Sequence, residues 1–278
     1  KQMDIGTAKI KKEQMQGVTH YMIDEWNPDE EFNVMIFQKR VKEIMEDIYN
    51  RGKIPILVGG TGFYIQAVLN DIAFTKEKQG DEIRADLQNL AKEKGASYLH
   101  HELQKVDKES AEAIHPNNIK RVIRALEYFQ STGQKFSDHN KEERQKGSPY
   151  NFLYLVLTMN RKVLYERIDK RVDQMMEEGL VKEVKQLLDA GYSRNLVSMQ
   201  GLGYKEIASA LFKECTMEEA VYRLKRDTRH FAKRQMTWFR RERDVTMINK
   251  DNFSNNHDIV NYIMKLAVEK GICSCREG

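Results

Sequence analysis

Residues 33–69 change their hydrophobic period twice, and glycine stands at each change. Val34, Phe37, Val41, Ile44, Met45 and Ile48 recur at helical spacing. Gly52 stops that run, and Ile54-Pro-Ile-Leu-Val58 then reads as a buried strand. Gly59-Gly60-Thr61-Gly62 turns the chain into a second helix over 63–69. Helix, strand, glycine turn and helix is the order of an α/β chain with a parallel sheet. Backbone N–H groups in such a turn can hold an anion at a helix start. No Gly-Lys-Ser/Thr follows, so the turn is not itself a phosphate-loop signature, and tight strand–helix packing explains it equally well.

The character changes over residues 74–148. The segment is charged, shows no convincing strand and is patterned as helices over 81–94, 97–106, 108–114 and 119–131, with Gly133 closing the last. Residues 135–149 are polar and are expected to form a mobile loop. The expected division is therefore a core made of residues 1–73 and 149–278, with a helical insertion domain over 74–148. Beyond it the pattern predicts a strand over 152–157 and helices over 161–178, 180–190, 204–212 and 217–241. A short strand over 245–248 and a helix over 258–270 follow.

Composition excludes some classes. Charged residues make up 32% of 278 residues and mean hydropathy is −0.68. The longest apolar runs are strand-sized, far below a membrane span, and no secretory signal is visible. Cys215, Cys273 and Cys275 are too few and too unevenly placed for a disulfide framework, which fits a reducing, cytoplasmic setting. Cys273 and Cys275 lack a second Cys/His pair and read as part of a loose tail rather than a metal site. No Ser/His/Asp triad, carboxylate pair or zinc spacing is present. His100-His101 lacks metal-ligand spacing, and His115 reads as a structural hydrogen-bonding histidine.

Net charge is only +4, so its distribution matters more than its sum. On a helix starting at Thr216, Arg223, Arg226, Arg229, His230, Lys233, Arg234, Thr237, Arg240 and Arg241 fall on one face. Leu224, Phe231, Gln235 and Trp238 fall roughly opposite, and the Leu224–Phe231–Trp238 stripe is expected to face the core. Only Asp227 and Glu242 interrupt the positive run between Arg223 and Arg243. Such a face repels itself and suits a polyanion, unless acidic neighbours elsewhere in the fold pair with it. Lys120, Arg121 and Arg124 share one helical turn after His115-Pro-Asn-Asn118, either as a second polyanion contact or as an ordinary charged face. Arg167 and Arg171 stand one turn apart beside the stripe Leu164, Ile168, Val172 and Met175. Two forked cations projecting together suit a diphosphate; salt bridges to Glu166 or Asp169 are the alternative.

Taken in order, several runs resemble the tRNA dimethylallyltransferase (tRNA isopentenyltransferase) family, in its bacterial form. They are Met3-Asp-Ile-Gly-Thr-Ala-Lys9, His20-Tyr-Met-Ile-Asp24 with Pro28, and Leu57-Val-Gly-Gly-Thr61 with Tyr64. Ile114-His-Pro-Asn117, Arg121 with Arg124-Ala-Leu-Glu127, and Leu164-Tyr-Glu-Arg-Ile168 with Arg171 follow. Gly201-Leu-Gly-Tyr204 and Lys233-Arg-Gln-Met-Thr-Trp-Phe-Arg240 complete the set.

The resemblance implies a P-loop-type parallel-sheet core with a helical insertion domain that contacts tRNA. It implies dimethylallyl diphosphate as donor, Mg²⁺ as helper and the tRNA anticodon stem-loop as acceptor, prenylated on the exocyclic N6 amine of the adenine 3′-adjacent to the anticodon. A monomer is expected. The family's phosphate loop and general-base aspartate lie just before the Met3–Lys9 run, so they are expected outside these 278 residues.

Position by position, the resemblance makes Arg171 the catalytic arginine on the diphosphate and places Thr61 and Arg84 near the tRNA, Thr61 at the catalytic end. Gly59, Gly60 and Arg167 fall on the diphosphate side. It assigns tRNA contact to Lys120, Arg121 and Arg124; to Gln200, Gly201, Gly203, Tyr204 and Lys205; and to Arg226, Lys233, Arg234, Gln235, Thr237, Trp238 and Arg240. The run Phe32-Asn-Val-Met-Ile-Phe37 lacks the family's usual serine and aspartate, and Asn118 replaces a common aspartate.

Overall fold

The computed structural model describes residues 1–74 and 80–274. The chain divides into two compact units, Lys1–Ile65 with Asn151–Gly278, and Gln66–Tyr150. Turns and a short 3₁₀ segment (Lys12–Met15) lead to helix α1 (Val34–Asn50). Asn33 caps α1, its Oδ1 accepting from the backbone N–H groups of Met35 and Ile36 at 2.9 and 3.1 Å. Val41 and Ile44, one turn apart, are its buried residues. Phe37 and Phe32 meet the ring of Tyr64 at 5.0 and 6.5 Å between centroids, and Trp26 packs on Phe32 at 4.8 Å. These rings fasten the 20–32 segment and the start of α2 (Gly62–Leu69) to α1.

The run 54–58 is extended but is not the buried strand that the sequence predicts. It joins no ladder among the described residues, and Ile56 and Val58 are 83% and 87% exposed. An apolar run becomes a buried strand only when neighbours pair its edges and cover its faces. Here nothing among the described residues does either.

The second unit is helical: α3 (Gly80–Lys94), α4 (Ala96–Val106), α5 (Lys108–Ala113), α6 (Ile119–Thr132) and α7 (Phe136–Gln145). Leu87, Leu99, Leu103, Ile114, Val122, Ile123 and Leu126 form its core. Residues 135–149, expected as a mobile loop, contain α7 instead. Three contacts explain the correction. Phe136 packs against the core, the His139 ring stacks on Tyr128 at 4.9 Å, and Asp107 accepts from the Ser137 N–H at 2.8 Å. Asp107 also caps α5, taking the N–H and hydroxyl of Ser110 at 3.0 and 2.6 Å. Burial pushes the Asp107 carboxyl up, but these donors outweigh it and hold the group below the usual carboxylate range. His100 bonds the carbonyls of Ala111 and Ile114, and His115 accepts from the Asn117 N–H, so both serve structure.

Strand β1 (Tyr154–Thr158) reopens the first unit, followed by α8 (Arg161–Glu178), α9 (Leu180–Asp189), α10 (Tyr204–Leu211), α11 (Met217–Phe239), β2 (Val245–Asn249) and α12 (Asn256–Glu269). The strands pair in parallel, Tyr154 opposite Val245 and Thr158 opposite Asn249. Parallel pairing needs a long crossover, and α8–α11 supply it. Their core joins Val172, Leu180, Val184, Leu187, Met199, Tyr204, Ile207 and Leu224. Gly179, at φ +102°, allows the break between α8 and α9. Thr216 caps α11 through the Glu219 N–H at 3.1 Å. Among the described residues no helix is long and apolar enough to cross a membrane. Cys215 and Cys273 are free thiols, and Cys275 lies outside the described residues.

Candidate functional site

The glycine turn is built against α11. The Gln235 amide donates to the Gly60 carbonyl at 2.9 Å. A Cβ on Gly60 would come within 2.1 Å of the Gln235 amide nitrogen, and one on Gly62 within 2.1 Å of the Trp238 ring nitrogen. Close approach, not a strained φ, marks both positions: a side chain at Gly62 would have to displace the indole of Trp238, whereas one at Gly60 would have to displace only the flexible end of Gln235. Thr61 sits exposed between them, while Gly59 is exposed and meets nothing. Of the two readings of this turn, packing against a helix is realised, but the helix is α11.

The sequence expects Phe231 and Trp238 of α11 to face the core, and they do not. Leu224 is buried, whereas Phe231 and Trp238 are 39% and 40% exposed. The core of α8–α10 covers the first half of α11; the second half runs beyond it. Charge divides the same way. Arg223 pairs with Glu219, Arg226 with Asp227 at 2.8 Å, Lys225 with Asp173 and Arg229 with Asp169, the last two at 2.5 Å. Neutralisation by acidic neighbours thus holds for the first half. Lys233, Arg234, Arg240 and Arg241 are exposed and carry no ion pair among the described residues, and Thr237 is exposed beside them. Arg234 lies over the Phe231 ring, 5.8 Å from its centroid.

The Asp169–Arg229 and Asp173–Lys225 pairs staple α8 to α11. They also leave Arg171 without an acidic partner among the described residues. Among the described residues Arg167 forms no ion pair and donates to the Met159 sulfur at 3.9 Å, and both arginines are exposed. Neither Glu166 nor Asp169 neutralises them. The pair is therefore two open forks one turn apart, which suits a diphosphate.

The Gln200–Lys205 stretch splits. Tyr204 is 1% exposed and donates its hydroxyl to Glu183 at 2.7 Å, so its expected RNA contact is withdrawn. Burial, with Glu183 beside it, pushes the phenol well above its usual range. Glu183 also accepts from the N–H groups of Asp4, Ile5 and Gly6 at 2.8, 2.8 and 3.1 Å. It fixes the Met3–Lys9 run, and a Cβ on Gly6 would strike the Tyr204 ring at 2.6 Å. Gly203 is buried, at φ +94°, with its N–H on Glu206, so it is a turn residue rather than a contact. Gly201 is half-buried. Gln200 and Lys205 line a cleft of about 530 Å³ with Arg194, Arg223 and Arg226. Sequence reading missed Glu183 and Arg194. The signal for Glu183 was a carboxylate between Leu180 and Leu187 on an apolar face.

In the second unit, Lys120 and Arg121 are exposed on the first turn of α6. Arg124 and Arg84 both reach Glu127, which is 2% exposed. Glu127 ends the Arg124-Ala-Leu-Glu127 run but was given no role, though it stands four residues after Ile123 on the apolar face of α6.

A family model described as IPP transferase matches residues 1–242. The chain belongs to this family. Its members transfer prenyl groups, and the fold is their P-loop-type α/β fold, here mostly helical with a small parallel sheet. The tRNA dimethylallyltransferase of Lachnoclostridium phytofermentans is 57% identical over 270 residues, covering 97% of this chain and 86% of the relative. That of Acetivibrio thermocellus is 48% identical over 260 residues, covering 94% and 83%. The full-length tRNA isopentenylpyrophosphate transferase of Bacillus halodurans superposes with a TM-score of 0.71 at 42% identity, over 98% of this chain and 86% of that one. A eukaryotic dimethylallyltransferase acting on tRNA superposes at 0.76 with 26% identity, over 95% and 70%.

Proposed function

We propose that this chain transfers a dimethylallyl group from dimethylallyl diphosphate to the N6 amine of the adenine 3′-adjacent to the tRNA anticodon. The observation that carries the reading is 57% identity, over 97% of the chain, to a tRNA dimethylallyltransferase. The open cations support it independently. Arg167 and Arg171 suit the donor diphosphate, whose growing negative charge is the largest target for fixed donors. Lys233, Arg234, Arg240, Lys120 and Arg121 suit RNA phosphates, and the half-exposed ring of Trp238 suits an unstacked base. Thr61 is exposed between Gly60 and Gly62, which pack on Gln235 and Trp238, and is read as a contact to the target nucleotide. Taking the adenine out of its stack costs a few kcal/mol, which a grip on the loop phosphates offsets.

Mg²⁺ belongs to the reading as a companion of the diphosphate. Among the described residues no group of three or more His, Cys, Asp or Glu could hold a metal. Among the described residues no protein cage for the ion is formed, so the diphosphate itself would be its main ligand.

The test is prenyl transfer by the protein as its gene encodes it, with an anticodon stem-loop or AMP as acceptor. Modified adenine is expected in the stem-loop and only trace turnover on AMP. Equal turnover on both would reject the tRNA reading.

A further inference from the structure

We infer that Glu127 is a positioning residue, which holds Arg84 and Arg124 as a two-guanidinium clamp for an RNA phosphate. The inference rests on the tRNA reading above and gives a role to Glu127, which the sequence reading named only as the end of the Arg124-Ala-Leu-Glu127 run. Arg84 reaches Glu127 from α3 with two N–H groups, Nε at 3.2 Å and Nη2 at 2.7 Å. Arg124 lies one turn before Glu127 on α6 and donates Nη1 at 3.3 Å. Both Nη groups meet the same oxygen, Oε1.

The burial is uneven. The Glu127 side chain is 3% exposed, and those of Arg84 and Arg124 are 43% and 42% exposed. Glu127 is buried like Val122, Ile123, Ala125 and Leu126 of the same helix, while the two arginine side chains that reach it remain partly exposed.

As a stability device this is a poor choice. Taking a carboxylate out of water costs several kcal/mol, and an apolar residue of similar volume serves a core as well or better. The neighbouring buried positions of α6 hold such residues. The arrangement makes sense if the arginines are what needs fixing. A free arginine carries about 2 kcal/mol of rotamer entropy, lost when it grips a ligand. Glu127 imposes that loss before RNA arrives, which is preorganisation. The single charge of Glu127 does not cancel two guanidiniums, and Lys120 and Arg121 add positive charge one turn earlier. An RNA phosphate is therefore still attracted.

The sign of one substitution separates this from simple electrostatics. Removing a negative charge beside an RNA site should tighten RNA binding. Releasing two positioned arginines should weaken it, without reducing the number of cations and hence without lowering the salt slope. For Glu127→Gln we expect the Kd for an anticodon stem-loop to rise about tenfold, roughly 1.4 kcal/mol. The slope of log K against log salt should not fall, and the KM for the diphosphate donor should stay within twofold. Arg84→Ala should raise Kd and lower the slope in the wild-type background, with little further rise in Kd when Glu127→Gln is already present.

Tighter or unchanged RNA binding by Glu127→Gln, with Arg84→Ala still harmful, overturns the positioning role and leaves the tRNA reading intact. If Arg84→Ala and Arg124→Ala both leave Kd unchanged, the clamp is not an RNA contact at all. Should Glu127→Gln fail to fold, a cycle of Arg84→Ala and Arg124→Ala carries the same question. Two arginines on one carboxylate oxygen should couple by more than twofold in Kd, and additive losses overturn the proposal.

Discussion

Arg171 shows what an unpaired side chain is worth at the scale of one residue. Its neighbours Asp169 and Asp173 are committed to Arg229 and Lys225, so among the described residues nothing acidic pairs with its fork. Arg171→Ala should therefore lower single-turnover prenyl transfer by about 10²-fold or more, as expected for one charge-stabilising donor. Affinity for tRNA should change little. A normal single-turnover rate would remove Arg171 from the mechanism. The sequence showed that Arg167 and Arg171 share a face. It could not show that their acidic neighbours point elsewhere, because Asp169 and Asp173 find their partners about 50–60 residues away on α11. Tyr204 errs in the opposite direction. A tyrosine in a glycine-flanked run looked available to RNA, and only the fold brings Glu183 to its hydroxyl and Gly6 beneath its ring.

Elements were legible where their pattern was local. The helices α8, α10 and α11 lie within about two residues of where the sequence places them, and in the structure Asn160 and Thr216 cap α8 and α11. The 54–58 strand was misread because a strand depends on partners that its own residues do not name. Residues 135–149 were misread because the contacts that order α7 come from Asp107 and Tyr128, outside the segment.

The division of α11 refines a charge argument in the same way. Arg226 is partly neutralised by Asp227, whereas Lys233 and Arg240 are open. Replacing Lys233 and Arg240 by Gln should flatten the salt dependence of tRNA binding by about 1.4–1.8 in log–log slope, at roughly 0.7–0.9 per phosphate contact. Adding Arg226→Gln should flatten it by less than a third full contact. Folding should survive, since all three side chains are exposed. An unchanged slope with normal affinity would make this face structural.

At the scale of the molecule, two hydrophobic cores share no residue. One lies in α8–α11, the other in α3–α7. Cores that do not share side chains can open separately. Asp107 gives a handle on one of them. It is 1% exposed, caps α5 and holds the start of α7, and its carboxyl titrates below 3.8, its ordinary value. A carboxylate held low in the folded state contributes stability that is fully present above its unfolded value. That contribution fades as pH falls through the folded one. Acid should therefore weaken residues 66–150 through this group below about pH 4, where the unfolded chain begins to take up the proton. Asp107→Ala should mimic the effect at neutral pH. Losing the cap and stranding the Ser137 N–H costs about 2–3 kcal/mol. Hydrogen exchange should then speed up in α5, α6 and α7, while amides of α9 and α10 keep their wild-type rates. Equal acceleration across both cores would show that the two units unfold together and that Asp107 supports the whole chain.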